Sequence, residues 1–236
     1  MDTKLATILE LGAAVGPQLH RMLRDRIIRG ELAPGARVSE TEIATAYSVS
    51  RQPVREAFIK LAEEGLVEVR PQRGTFVSLI SLPVVMTARF IREAIEADIV
   101  RRLAEKADDE MIARLDASMA EQRSLAREAP GEAFMRLDED FHRCLAELLG
   151  HAAVADHLEE LKIQMNRVRH ISARNFSRDR LISQHGEVVE AIRARDPGRA
   201  EAAMRIHLME IIADLPGIVE QQPECFFGAH SLEIPK

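Results

Sequence analysis

From Pro17 onward, apolar residues recur at three- and four-residue intervals: Leu19, Met22, Leu23, Ile27 and Ile28. That spacing lines one face of a helix. Gly30 closes it, and Ala33–Gly35 make the turn that follows. A short second helix is predicted from Ser39, where Ser39 and Glu42 have the spacing of a capping box and Ile43, Ala44 and Tyr47 point inward. Ser48–Ser50 form the next turn, with Ser50 as the cap of a third helix that tolerates Pro53 in its first turn. This helix buries Val54, Ala57, Phe58 and Leu61 and stops at Gly65. The period then shortens to two. Leu66–Arg70 and Gly74–Ser78 alternate apolar and polar residues around Pro71–Arg73, the pattern of a β-hairpin. Three helices followed by a hairpin is the order of a winged helix-turn-helix.

After Ser81–Pro83 every period is helical. Six helices are predicted, at about 83–106, 108–127, 131–149, 151–176, 178–195 and 198–214. Breaks fall at Asp108–Asp109, Pro130–Gly131, Gly150, Ser177 and Pro197–Gly198. The expected fold is mostly α: an N-terminal winged helix-turn-helix and a C-terminal antiparallel all-helical bundle. Its parts are an arm at 1–16, a DNA-reading domain at 17–78, a linker at 79–83, a helical effector-binding domain at 84–215 and an irregular tail at 216–236.

Composition narrows the picture. Apolar residues make up 46% and charged residues 30%, which describes a folded, soluble chain rather than a disordered one. No apolar run approaches the roughly eighteen residues needed to cross a membrane, and the start lacks the features of a secretory signal. Cys144 and Cys225 are too few for a disulfide framework and read as free thiols, so a cytoplasmic protein is expected. The net charge of −6 argues against nucleic acid until the chain is divided. Residues 1–80 hold eleven basic and ten acidic side chains, and the remainder twenty-one against twenty-eight. The acidity belongs to the second part.

The third helix carries the DNA-reading chemistry. Gln52, Arg55 and Ile59 fall away from its apolar stripe, and Arg51 sits in its exposed first turn. Arginine there suits guanine edges or a phosphate, and the helix N-terminus adds backbone donors. Arg73 and Gly74 lie at the hairpin tip, where glycine lets the backbone come close to a groove.

A second constellation lies in the C-terminal helices. Asp138 and His142 are four residues apart and leave one face of one helix. His185 and His207 each fall on the apolar stripe of another helix. Two readings stand: separately hydrogen-bonded core histidines, or three nitrogens and one oxygen converging on a borderline cation such as Zn²⁺ or Ni²⁺. Arg92 borders the buried stripe of the first C-terminal helix, placed either to grip a ligand carboxylate or to pair with Glu96 on the surface. Arg167, Arg169, His170 and Arg174 read as solvated faces.

The segments IIRGELAPGARVSE, VSRQPVREA and EEGLVEVRPQRGTFV resemble the DNA-binding domain of the GntR family. The resemblance implies DNA contacts at Arg51, Arg55 and Gly74, with a departure at Thr41, where some members carry a DNA-contacting arginine. RFIREAIEADIVRRLAEKA, LDEDFHRCLAELLGH and QHGEVVEAIRARDPGRAEAAMRIHL resemble the FCD domain of the FadR branch, and six helices point to its shorter, VanR-type subgroup. This resemblance implies a divalent ion on Asp138, His142, His185 and His207, and a small organic acid completing its shell. The expected protein is a homodimer on a palindromic operator, not an enzyme. The alternatives are a metal-free or structurally metal-bound regulator sensing another ligand, such as an acyl thioester, and a metal-dependent hydrolase with Glu139 or Asp140 as base.

Overall fold

The computed structural model describes residues 9–10, 12–125, 131–172 and 177–228. They fall into two compact units. Of the described residues, one unit contains those up to Leu82, together with Asn166–Ile171 and 218–228; the other contains those of Pro83–Met165 and Ser172–Gly217.

In the first unit, helix α1 (Val15–Ile28) buries Leu19, Leu23 and Ile27, one residue per turn. Short strand β1 (Arg37–Val38) leads to helix α2 (Glu40–Ala46), whose first turn is capped by the Ser39 hydroxyl accepting from the Glu42 N–H at 3.4 Å. Helix α3 (Arg51–Glu63) buries Val54, Ala57, Phe58 and Leu61, as its stripe predicts. Ser50 occupies the cap position with extended backbone, but its side chain makes no cap bond. Strands β2 (Val67–Arg70) and β3 (Gly74–Val77) form the expected hairpin. Strand β1 pairs on the other edge of β3, giving the order β1-β3-β2. A two-residue strand is too short to show a period, so β1 was not foreseen.

The second unit is built from helices α4 (Leu82–Lys106), α5 (Asp109–Leu125), α6 (Gly131–Leu148), α7 (Ala152–Leu161), α9 (Arg178–Arg193) and most of α10 (Pro197–Gln221), while helix α8 (Ile163–Ser172) lies mostly in the first. The core of the second unit contains Val100, Leu103, Leu115, Met119, Phe141, Leu145, Val188, Ile192 and Met204. Among the described residues no helix is long and apolar enough to cross a membrane.

Three expectations need correction. The helix expected over 151–176 is divided at Lys162 into α7 and α8. Among the described residues seven helices therefore follow the wing, and the count of six that pointed to the shorter subgroup does not stand. No glycine or proline marks the break, which leaves periodicity blind to it. The tail expected from 216 is ordered as far as it is described. α10 runs through Pro216, and after a 3₁₀ turn at Pro223–Cys225 strand β5 (Phe226–Phe227) pairs in parallel with β4 (Ile80–Ser81). Proline inside a helix costs about 3 kcal/mol. The burial of Leu215, Ile218 and Val219 on either side stabilises by about 1.5–3 kcal/mol each, and wins. Finally, Arg167 and Arg169 are buried, not solvated. Arg167 is 1% exposed and donates to the Ser78 carbonyl at 2.6 Å, and burial pushes its guanidinium down to about 10. Arg174 lies outside the described residues, as do 1–8 of the arm and 229–236 of the tail.

Candidate functional site

Two sites emerge, one on the surface of the first unit and one inside the second. On α3, Arg51, Gln52 and Arg55 are exposed on the side opposite the buried stripe. Arg51 donates to Glu40 at 3.1 Å and Gln52 to Glu56 at 3.0 Å, while Arg55 has no ion pair or side-chain hydrogen bond among the described residues. With no side-chain cap at Ser50, the first-turn N–H groups of α3 remain open to an anion. Arg73 is exposed at the wing tip, where its N–H returns to the Arg70 carbonyl at 3.0 Å. Gly74 follows with φ at +108°, a conformation that L side chains resist.

The second site is built from three helices. Asp138 and His142 come from α6, His185 from α9 and His207 from α10, and all four are buried. Their candidate ligand atoms lie within 4.8 Å of one another. The Nε2 of His207 is 3.0 Å from that of His142 and 3.3 Å from that of His185. Asp138 Oδ1 is 3.4 Å from His185 Nε2 and 3.7 Å from His142 Nε2. Donors bound to one ion at about 2.0–2.1 Å, and about 90–110° apart, are separated by about 2.8–3.4 Å. The separations of 3.0, 3.3 and 3.4 Å match donors on one ion, and the wider ones exceed that range.

The outer partners of the imidazoles explain why the cluster faces inward. His142 Nδ1 is 2.6 Å from Glu96 Oε2, His185 Nδ1 is 2.8 Å from Gln122 Oε1, and His207 Nδ1 is 3.2 Å from Gln184 Oε1. His185 and His207 each point Nδ1 at an amide oxygen, an arrangement that places the ring proton there and leaves Nε2 as a lone pair, while His142 Nδ1 lies close to Glu96 Oε2 without hydrogen-bond geometry. Gln184 is itself held by Glu210 at 3.0 Å, and His185 stacks on Phe141 with ring centroids 4.1 Å apart. The Nε2 of His207 faces those of His142 and His185 at 3.0 and 3.3 Å, and a cation bound there would satisfy all three nitrogens at once. Burial favours the neutral rings. It pushes His142 down to about 4, against the opposing charge of Glu96, and holds His207 well below the usual imidazole range, with His185 and His142 adding to the effect.

Arg92 stands beside this cluster, 2% exposed. The expected pair with Glu96 exists, with Arg92 Nε donating at 2.5 Å, but it is buried rather than on the surface. Burial opposes both charges. Arg92 and His142 overcome it at Glu96, which is held below the usual carboxylate range, while Glu96 and Asp138 overcome it at Arg92, which is held above its own. One guanidinium nitrogen, NH2, has no hydrogen-bond partner among the described residues, and neither has Gln122 Nε2.

Sequence reasoning found the four cluster residues and missed the groups that orient them. Gln122 was within reach: Leu115, Met119 and Gln122 follow a helical stripe, so an amide sits where an apolar residue belongs. Glu96 lies four residues after Arg92 on the same buried face, whereas the reading that paired the two had placed them on the surface.

Residues 17–77 match the family described as bacterial regulatory proteins, gntR family, and residues 88–210 match the FCD domain. The HTH-type transcriptional repressor RspR of Escherichia coli K12 is 38% identical over 213 residues, covering 90% of this chain and 93% of its own. The HTH-type transcriptional repressor NanR of Cronobacter sakazakii is 32% identical, with 86% and 85% covered. The crystal structure of a putative transcriptional regulator GntR from Rhodococcus sp. RHA1 superimposes with a TM-score of 0.69 at 27% identity, covering 86% of this chain and 97% of its own. Escherichia coli McbR/YncC shares the fold at 18% identity, also with a TM-score of 0.69, over 89% of this chain and 99% of its own. The chain belongs to the gntR family of bacterial regulatory proteins, in the branch that carries an FCD domain, and is a DNA-binding transcription regulator.

Proposed function

We propose that this regulator works as a homodimer on a palindromic operator in the cytoplasm, and that a small carboxylate bound at a divalent ion controls its grip on DNA. Arg51, Gln52 and Arg55 read the major groove, and Arg73 and Gly74 bring the wing to the backbone. Asp138, His142, His185 and His207 hold the ion, for which three nitrogens and one oxygen favour Zn²⁺ or Ni²⁺.

The observation that carries the sensing reading is the unpartnered NH2 of Arg92, a buried cationic donor beside the ligand cluster. The two carboxyl groups of Asp138 and Glu96 and the guanidinium of Arg92 carry one net negative formal charge beside the imidazoles. A divalent ion turns that into one positive charge, and a monocarboxylate brings it to zero. Buried charge is tolerated when paired, so ion and acid complete the site in sequence. Effector binding then shifts the helical units, and with them the spacing of two DNA-reading heads. A hydrolase reading fits less well. Glu139 and Asp140 follow Asp138 directly and are turned about 100° and 200° around α6, away from the face of Asp138 and His142.

Calorimetry with a panel of small carboxylates on chelated and metal-reloaded protein tests this. Binding to the reloaded form alone is expected, with loss of metal by elemental analysis in His185→Ala and His207→Ala. Equal affinity in both forms overturns the metal-dependent reading.

A further inference from the structure

We propose that Arg37 is a further DNA contact, a phosphate grip on the outer face of the wing seated by Gly74. This rests on the reading of Arg73 and Gly74 as the part of the wing that meets DNA.

The register of the sheet settles which way Arg37 faces. Arg37 pairs with Phe76, Phe76 with Glu68, and Gly74 with Arg70, so these side chains share one face. Val38, Val67 and Val77 occupy the opposite face and are buried. The first set is therefore the outer face. On it, Arg70 is committed: its Nε and NH2 donate to Glu68 at 3.1 and 3.0 Å, and its guanidinium lies over the Phe76 ring at 4.7 Å. Arg37 is exposed, and among the described residues it makes no hydrogen bond and no ion pair. The Arg70–Glu68 pair is neutral as a unit, so Arg37 leaves the face with one uncompensated positive charge.

Gly74 explains why the Arg37 guanidinium stays at the wing tip. A Cβ at position 74 would sit 3.1 Å from Arg37 Nε and 3.5 Å from its NH2. The bare backbone lets the planar group lie across the glycine, next to exposed Arg73. A planar guanidinium held at a groove-facing edge, with its donors free, matches a phosphate diester.

The test measures affinity for two duplexes against salt concentration, by fluorescence anisotropy. One duplex is selected by the parent protein from a randomised pool, and the other is of arbitrary sequence. Arg37→Ala is expected to weaken both by the same factor and to lower the slope of log affinity against log salt by about one. The parent's advantage then shrinks about tenfold for each tenfold rise in salt. Arg37→Lys, which keeps the charge, restores the slope. An unchanged slope in Arg37→Ala overturns the proposal, as does a loss confined to the selected duplex. Arg73→Ala separates the failures. If it weakens binding and Arg37→Ala does not, only the Arg37 assignment falls; if neither does, the wing reading falls with it.

Discussion

The two candidate sites use arginine in opposite ways. In the DNA-reading unit Arg51, Arg55 and Arg73 are exposed, and the pair between Arg51 and Glu40 lies in solvent, with the arginine side chain 67% exposed. In the helical unit Arg92 and Glu96 are enclosed and linked to His142 and the ligand cluster. An exposed pair is worth about 0–1 kcal/mol, so a phosphate can replace the carboxylate at little cost. A buried pair is different, because removing one partner strands a charge in a medium that cannot solvate it. Surface arginines can exchange partners. A buried arginine with a spare donor can only gain one. That contrast separates arginines that water and DNA can both reach from an arginine enclosed in the helical core.

The largest expected effect strikes the buried pair. Glu96→Gln keeps an oxygen for His142 Nδ1 but removes the charge that balances Arg92. Metal-free protein carrying this change is expected to lose about 3–5 kcal/mol of stability in urea unfolding. A loss below about 1 kcal/mol would show that water reaches Arg92, and the contrast between the sites would collapse. Next in size is Gln122→Leu, which removes the acceptor orienting His185. Metal affinity is expected to fall about 10–100-fold, read by competition with a chromophoric chelator, while DNA binding by the metal-free form is unaltered.

On the surface the effects are smaller and of another kind. Arg55→Ala and Arg51→Ala are each expected to weaken binding to a selected operator by about 1–3 kcal/mol. Unfolding should change by no more than about 0.5 kcal/mol, since both side chains are exposed. Equal operator affinity in both variants means that α3 is not the reading helix.

The surface site was legible in the sequence because its logic is local. The stripe Val54–Ala57–Phe58–Leu61 sets the buried side of α3, and Arg51 and Arg55 follow by rotation about one axis. The candidate ligands Asp138, His142, His185 and His207 were also legible, since each marks a polar group on an apolar stripe. Their convergence was not, because it depends on how α6, α9 and α10 pack. The same limit hid the partners: Glu96, Gln122 and Gln184 act across helices, and β1 and β5 exist only through strands that pair with them. Arg167 failed for a related reason. Its burial is decided by Ser78, far away in the chain, and nothing in its own helix announces that.

The smallest expected effect repeats the first substitution on the surface. Glu40→Gln removes the carboxylate that holds Arg51 at 3.1 Å, as Glu96→Gln removes the one that holds Arg92. Here the freed guanidinium remains in water, so stability should change by less than about 1 kcal/mol. DNA binding should strengthen, because Arg51 no longer leaves a partner to reach DNA and a negative charge beside the phosphates is gone. The gain is bounded by the worth of the exposed pair, which makes it less than about tenfold in affinity at low salt. It should fade as salt screens the removed repulsion. Affinity titrations of parent and variant at low and high salt read both features. Weaker binding in Glu40→Gln would mean that Glu40 positions Arg51 for DNA, and the pair would then be part of the reading surface instead of a resting state that DNA displaces.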